Sequence, residues 1–178
     1  MKRHVALTLL IITTLGVVDA HVDLSEIDGR RFVAAQGRLY DPLGWLEDQA
    51  NAISRSCGAV QRVGLEDPGA QLALTRIRAY SPPQSHSAQA HQVLRSGSWW
   101  LVELSFASLN PAVVLLQGDG PEMKIVESAI WSGSTLPWRA GPRIRRHLQA
   151  GAPGLPSHLP ACLEPQTALF EAEPGPSR

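Results

Sequence analysis

Residues 99–107 read Trp-Trp-Leu-Val-Glu-Leu-Ser-Phe-Ala, and their side chains divide by parity. Trp100, Val102, Leu104 and Phe106 fall on one side; Trp99, Leu101, Glu103 and Ser105 fall on the other. A strand turns successive side chains to opposite faces, so this alternation predicts a β-strand with one face on a core. Breakers bracket it. Ser96-Gly97 suits a tight hairpin turn, and Asn110-Pro111 ends the run. Short apolar segments at 112–116 and 124–131, separated by the turn Gly118-Asp119-Gly120-Pro121, predict two more strands. Asp67-Pro68-Gly69 reads as a turn. After it, Leu72, Leu74, Ile77 and Tyr80, with Arg76 and Arg78 between them, predict a strand over 71–80. A short strand is expected over 31–35. The middle of the chain is therefore an antiparallel meander of four or five strands.

Helical periodicity brackets the meander. Asp41-Pro42 is a good N-cap followed by a first-turn proline. Leu43, Leu46, Ala50, Ile53 and Cys57 then recur at spacings of three and four, with Gly58 as a C-cap glycine. This predicts an amphipathic helix over 42–57 with Cys57 on its buried stripe. A second, short helix opens at Pro142 and runs through Ile144 and Leu148 to about Ala150. A helix with an apolar stripe beside a sheet with an apolar face packs on that sheet, which gives an α+β domain. A helix followed by an antiparallel meander resembles cystatin-like and NTF2-like architectures, a likeness of topology that carries no function with it.

The first twenty residues read as an address. Lys2 and Arg3 precede an apolar run over 5–18, and Val18-Asp19-Ala20 forms a cleavage site. That is the architecture of a secretory signal peptide. The run is shorter than the ~20 residues a membrane span needs. The domain reading is a signal peptide at 1–20, a single α+β domain at 21–163 and a flexible tail at 164–178, rich in Pro and Glu. Cleavage leaves no further span. The two cysteines, Cys57 and Cys162, are expected to pair because an exporting route is oxidising. Neither Asn51 nor Asn110 begins a glycosylation sequon, which favours a periplasmic or secreted bacterial protein.

Chemistry is sparse. The chain has 16 Lys+Arg against 16 Asp+Glu, so it lacks the basic excess that nucleic-acid binding demands. It carries no phosphate loop, no His-Glu-X-X-His, no Cys-X-X-Cys and no nucleophile elbow around Ser132-Gly133-Ser134. Glu103 and Glu127 read as strand carboxylates paired with Arg76 or Arg78; with His91 they are the candidate general bases of an alternative reading, a small hydrolase or isomerase. His86 and His91 lack further metal ligands, and His147 and His158 stand alone. No catalytic residue, metal or cofactor is assigned.

One segment is unusual in composition. Trp131, Ser134 and Trp138 are followed by Arg139, Arg143, Arg145 and Arg146. Tryptophan faces bind cations and sugars, and arginine forks bind carboxylates and phosphates. Arg139 and Arg143 also fall at the start of the second helix, where free N–H groups attract anions. The expectation is an exported, non-enzymatic binding or accessory protein of the bacterial envelope. It would contact a partner protein or an anionic ligand through this Trp/Arg segment. The alternative that uses the same residues is binding of cell-wall glycan or a lipid headgroup. The competing assignment makes the tryptophans core and the arginines the solvated face of a helix. Oligomeric state is not readable.

Overall fold

The computed structural model describes residues 22–171; the signal peptide read at 1–20 and the last seven residues, 172–178, lie outside the described residues. The chain opens with an antiparallel sheet of β1 (Val22–Ile27), β2 (Arg30–Ala35) and β3 (Arg38–Tyr40) in that order. Its turns are Asp28-Gly29, with φ of 51° and 71°, and Gln36-Gly37, with φ of 52° and 73°. Positive φ at both central positions is type I′ geometry, which matches the twist of the paired strands. The short strand expected over 31–35 is the middle member of this sheet.

Helix α1 (Pro42–Ser54) follows, capped by Asp41, whose Oδ1 accepts from Gly44 N at 2.8 Å. It stops before Cys57, which lies in the loop beyond. After β4 (Gln61–Val63) the strand expected over 71–80 is instead helix α2 (Pro68–Tyr80). Asp67 closes a turn from Gly64 and is the helix N-cap: Oδ1 accepts from Gly69 N at 2.8 Å and Ala70 N at 3.2 Å. Its buried face is Ala70, Ala73, Leu74 and Ile77, a helical spacing. The alternation of Leu72 with Leu74 misleads because small alanines carry half of that face.

A second antiparallel sheet contains β5 (Gln89–Ser96), β6 (Trp99–Ser105), β7 (Ala112–Gln117), β8 (Lys124–Ile125) and β9 (Trp131–Ser132). Its order is β4-β5-β6-β7-β8, with β9 also on β7. The single strand expected over 124–131 is broken by a 3₁₀ turn at Glu127–Ala129. Helices α3 (Ala140–Gly151), α4 (His158–Ala161) and α5 (Thr167–Phe170) complete the described chain.

The second sheet has a core on each face. Val93, Trp100, Val102, Leu104, Val114 and Leu116 meet α2. Leu94, Leu101, Val113 and Leu115 meet Ile144 and Leu148 of α3, and Leu159, Leu163 and Phe170 of the C-terminal segment. The parity read over 99–107 holds, but both of its faces are buried, including Glu103. The protein is thus α+β with antiparallel sheets. The finer expectation needs correcting: three strands precede the first helix, and nine strands, more than four or five, are present among the described residues. Part of the segment expected as a tail packs on the body. Phe170 is fully buried, and its carbonyl accepts from Thr135 N at 2.8 Å and Thr135 Oγ1 at 3.2 Å.

Cys57 and Cys162 are bonded, with Cα atoms 5.8 Å apart and 105 positions of sequence between them. The crosslink ties the loop after α1 to the end of α4. Asn51 Nδ2 donates to Ala161 O at 2.9 Å and Arg55 pairs with Glu164 at the same junction. No helix among the described residues is long and apolar enough to cross a membrane. Replacing both cysteines by serine is expected to cost about 2–4 kcal/mol, because the crosslink closes a long loop in the unfolded chain. Urea denaturation reads this as a lower midpoint; an unchanged midpoint means that the polar contacts alone hold the junction.

Candidate functional site

The amphipathic stripe of α1 points the opposite way from expectation. Leu43, Trp45, Leu46 and Ile53 are exposed, Ile53 to 86%. The residues turned to the body are Gly44, Asp48 and Asn51, one polar face at spacings of four and three. This face meets α3, where the arginines are. Asp48 Oδ1 accepts from Arg145 Nη2 at 2.7 Å, and Asp48 Oδ2 lies 3.4 Å from Arg139 Nε. Glu47 pairs with Arg146. Two glycines make room for these side chains. A Cβ on Gly44 would run into the Asp41 carboxylate and come within 2.9 Å of Arg139 Cγ; one on Gly141 would strike Asp48 and lie 2.8 Å from Arg145 Nη1. The helices are therefore held together by a seam of charge, which does not require the leucines.

Asp41 joins three elements. Oδ1 caps α1 and accepts from Arg30 Nε of β2 at 3.1 Å, and Oδ2 accepts from Arg139 N at 3.2 Å, at the start of α3. The carboxylate is buried. Ala140 N, the next donor on α3, binds Glu171 Oε1 at 2.9 Å. The expected anion-attracting N–H groups of this helix are thus partly taken by the protein's own carboxylates.

The Trp/Arg segment divides accordingly. Arg139 is bound to Asp48 and to Glu171, 3.5 Å away; Arg145 and Arg146 are bound to α1. Ser134 hydrogen-bonds Phe170 O at 3.1 Å and receives Leu136 N at 3.3 Å. Trp131 is half-buried, edge-on to His147, with Nε1 on its neighbour Gly133 O at 3.3 Å. Trp138 packs edge-on against the buried Phe32 of β2, centroids 5.7 Å apart. Arg143 stands between the two tryptophans, 4.4 Å from the Trp138 centroid and 5.9 Å from that of Trp131. Of the four arginines, it is the one without a carboxylate partner among the described residues. A cleft of about 560 Å³ opens beside it, walled by Arg30, Arg31, Leu43, Glu47, Trp138 and Arg143. Arg30 and Arg31 were not singled out in the sequence; the signal was the Asp28-Gly29 turn that delivers them.

No hydrogen bond or ion pair joins the three residues of the hydrolase reading among the described residues, although His91 lies near enough to Glu103 to act on its charge. Glu127 is exposed on its 3₁₀ turn and His91 is exposed, bound to Ser105 Oγ at 2.7 Å. Glu103 is fully buried, and neither Arg76 nor Arg78 pairs with it: these donate to Pro121 O and Ala88 O. A Ser–His pair does occur, Ser96 Oγ and His158 Nε2 at 2.7 Å, but among the described residues no carboxylate orients His158. The contact docks α4 on the end of β5. Comparison with known proteins adds no relative to this geometry: no family model, no curated protein and no solved structure matches the chain.

Burial pushes the Glu103 carboxyl above its ordinary value, against the opposing pull of the Gln166 N–H and of His91. Oε1 accepts from Gln166 N at 2.8 Å, while Oε2 is unpartnered, as is Oε1 of Gln92, its cross-strand neighbour. A carboxyl whose pKa is raised by folding binds its proton more tightly in the native state, so stability falls as pH climbs from the unfolded value through the folded one. Glu103→Gln keeps the acceptor and adds a donor for Gln92. It is expected to leave stability unchanged in acid and to raise it at neutral and higher pH. Urea midpoints across pH test this; parallel profiles for the two proteins would contradict it.

Proposed function

We propose that this chain is an exported, non-enzymatic binding or accessory protein of the bacterial envelope, and that it docks a partner protein through the outward face of α1 and the adjoining Trp138–Arg143 segment. One observation carries the reading: α1 is fastened by its polar side and leaves Leu43, Trp45, Leu46 and Ile53 in solvent. Fully burying such a side chain is worth about 1.5–3 kcal/mol, which the fold realises only in part at Leu43, Trp45 and Leu46, each about half exposed, and hardly at all at Ile53. Single exposed leucines are ordinary, but a stripe along one helix has the form of a contact surface. Trp and Arg beside it are the residue types that most often anchor interfaces.

The contact surface therefore differs from the one read in the sequence. Arg139, Arg145 and Arg146 are spent on Asp48, Glu171 and Glu47, whereas Trp138 and Arg143 stay beside the α1 face. Export is supported by the disulfide, which belongs to oxidising compartments. The glycan reading is weakened because Arg143 already stacks on Trp138.

A photoreactive residue placed at position 46 or 53 is expected to give an adduct of discrete mass in native cells. The same residue at position 75, on the exposed side of α2, is expected to give none. Absence of an adduct from both α1 positions in exported, folded protein would contradict the docking surface.

A further inference from the structure

The cleft beside α1 does not balance its charges. Arg30, Arg31, Arg143 and Arg146 line it against two carboxylates, Asp28 and Glu47. Glu47 is shared: Oε2 pairs with Arg146 and Oε1 lies 3.2 Å from Arg30 Nη2. That second contact is an ion pair that falls short of hydrogen-bond geometry, and Arg30 Nε is bound to Asp41, so Arg30 is answered within the fold. Arg31 is exposed, and neither it nor Arg143 has an ion pair among the described residues. The cleft therefore holds more guanidinium than carboxylate, and the excess is Arg31 and Arg143.

Arg143 is also presented in a way that favours a ligand. Its guanidinium lies over Trp138 at 4.4 Å and beside Trp131 at 5.9 Å. A guanidinium placed over ring faces is attracted by their π-systems, and its five N–H donors exceed what the rings can engage. Held between two rings, the side chain loses little further freedom when an anion arrives. A carboxylate matches a guanidinium edge with two parallel hydrogen bonds.

The wall of the cleft identifies the carrier of that anion. Leu43 lines it and also begins the exposed stripe of α1. An anion in the cleft is therefore adjacent to apolar surface that continues along the helix. Asp28 and Glu47 in the same walls disfavour a dianionic phosphate and an anionic lipid surface, and two unpaired arginines are too few for a nucleic-acid backbone. A single carboxylate flanked by apolar residues satisfies both features.

We infer that the cleft formed by the β1–β2 turn, α1 and α3 binds an Asp or Glu side chain of a polypeptide partner, gripped by Arg143 and Arg31, while that partner's apolar residues cover Leu43, Leu46 and Ile53. This rests on the docking reading above and adds to it the chemistry of the partner.

The test is selection of a random peptide library displayed on phage against the full chain and against two folded variants, Arg31→Gln with Arg143→Gln, and Leu46→Asp with Ile53→Asp. Selected peptides are expected to carry an Asp or Glu beside apolar residues at helical spacing. Changing that acid to its amide in the synthetic peptide should weaken binding about tenfold on the natural chain. The double Arg variant should bind the acid and amide peptides alike. A consensus without an acid, or equal binding of both peptides to the natural chain, overturns the carboxylate site; if Leu46→Asp with Ile53→Asp still abolishes binding, the docking reading survives. Enrichment on the natural chain no greater than on the Leu46→Asp, Ile53→Asp variant overturns both. Quenching of tryptophan fluorescence by millimolar inorganic phosphate, lost in the double Arg variant and with no peptide selected, assigns the cleft to a free anion and overturns the polypeptide source.

Discussion

The carboxylate of Asp41 is the point at which three parts of this protein meet. It caps α1, it holds Arg30 of the N-terminal sheet, and it receives the first backbone donor of α3. A buried carboxylate survives only when hydrogen bonds replace its water, and here every bond comes from a different element. Its placement sets the direction of α1. Once the helix starts with its cap against α3, Gly44 faces the Arg139 stem, and Asp48, one turn further, meets Arg139 and Arg145. Asn51 and Arg55 continue the line to Ala161 and Glu164, where the disulfide closes it. The apolar stripe is then on the far side by helical geometry.

This seam reverses the usual division of labour. Elsewhere in the molecule stability comes from burial: the second sheet is sealed by α2 on one face and by α3 with the C-terminal segment on the other. At α1 the charges fasten, and the leucines are left over. Ion pairs of this kind contribute modestly to stability but set orientation, since a mispaired helix would strand a charge against Arg139 or Arg145. The same geometry produces the surface. Arg143, which has no ion pair with α1, is held over Trp138 at the cleft that Leu43 shares.

What was legible in the sequence was local. The parity of 99–107, the hairpin (which turns one residue later than expected, at Gly97-Ser98), the cap at Asp41 and the second helix depend on near neighbours. The pairing of Cys57 with Cys162 is what the expectation of an oxidising route implies, and the bond is present. The α2 helix was missed because Asp67-Pro68 repeats the cap-and-proline signature of Asp41-Pro42 but is followed by glycine, and because Ala70 and Ala73 carry little apolar weight. The N-terminal sheet is only half legible: its signal is the two hairpin turns Asp28-Gly29 and Gln36-Gly37, and its strands have little apolar alternation. The site was the least legible part. Arg139, Arg145 and Arg146 find partners more than ninety residues away, and no local pattern announces that. The one available clue was complementarity: Glu47-Asp48 on one expected helix, four arginines on or beside the other. It would have turned the polar face of α1 inward and its leucines out.

That inversion is testable by stability alone. Urea denaturation would compare Leu46→Ala with Ile53→Ala against a double-mutant cycle on Asp48→Ala and Arg145→Ala. The account predicts that the two apolar truncations together cost less than about 1 kcal/mol, as exposed positions do. It predicts that the polar pair is coupled by about 1–3 kcal/mol. A cost of about 2–5 kcal/mol for each apolar truncation, the signature of a buried side chain, with additive polar substitutions, would contradict it.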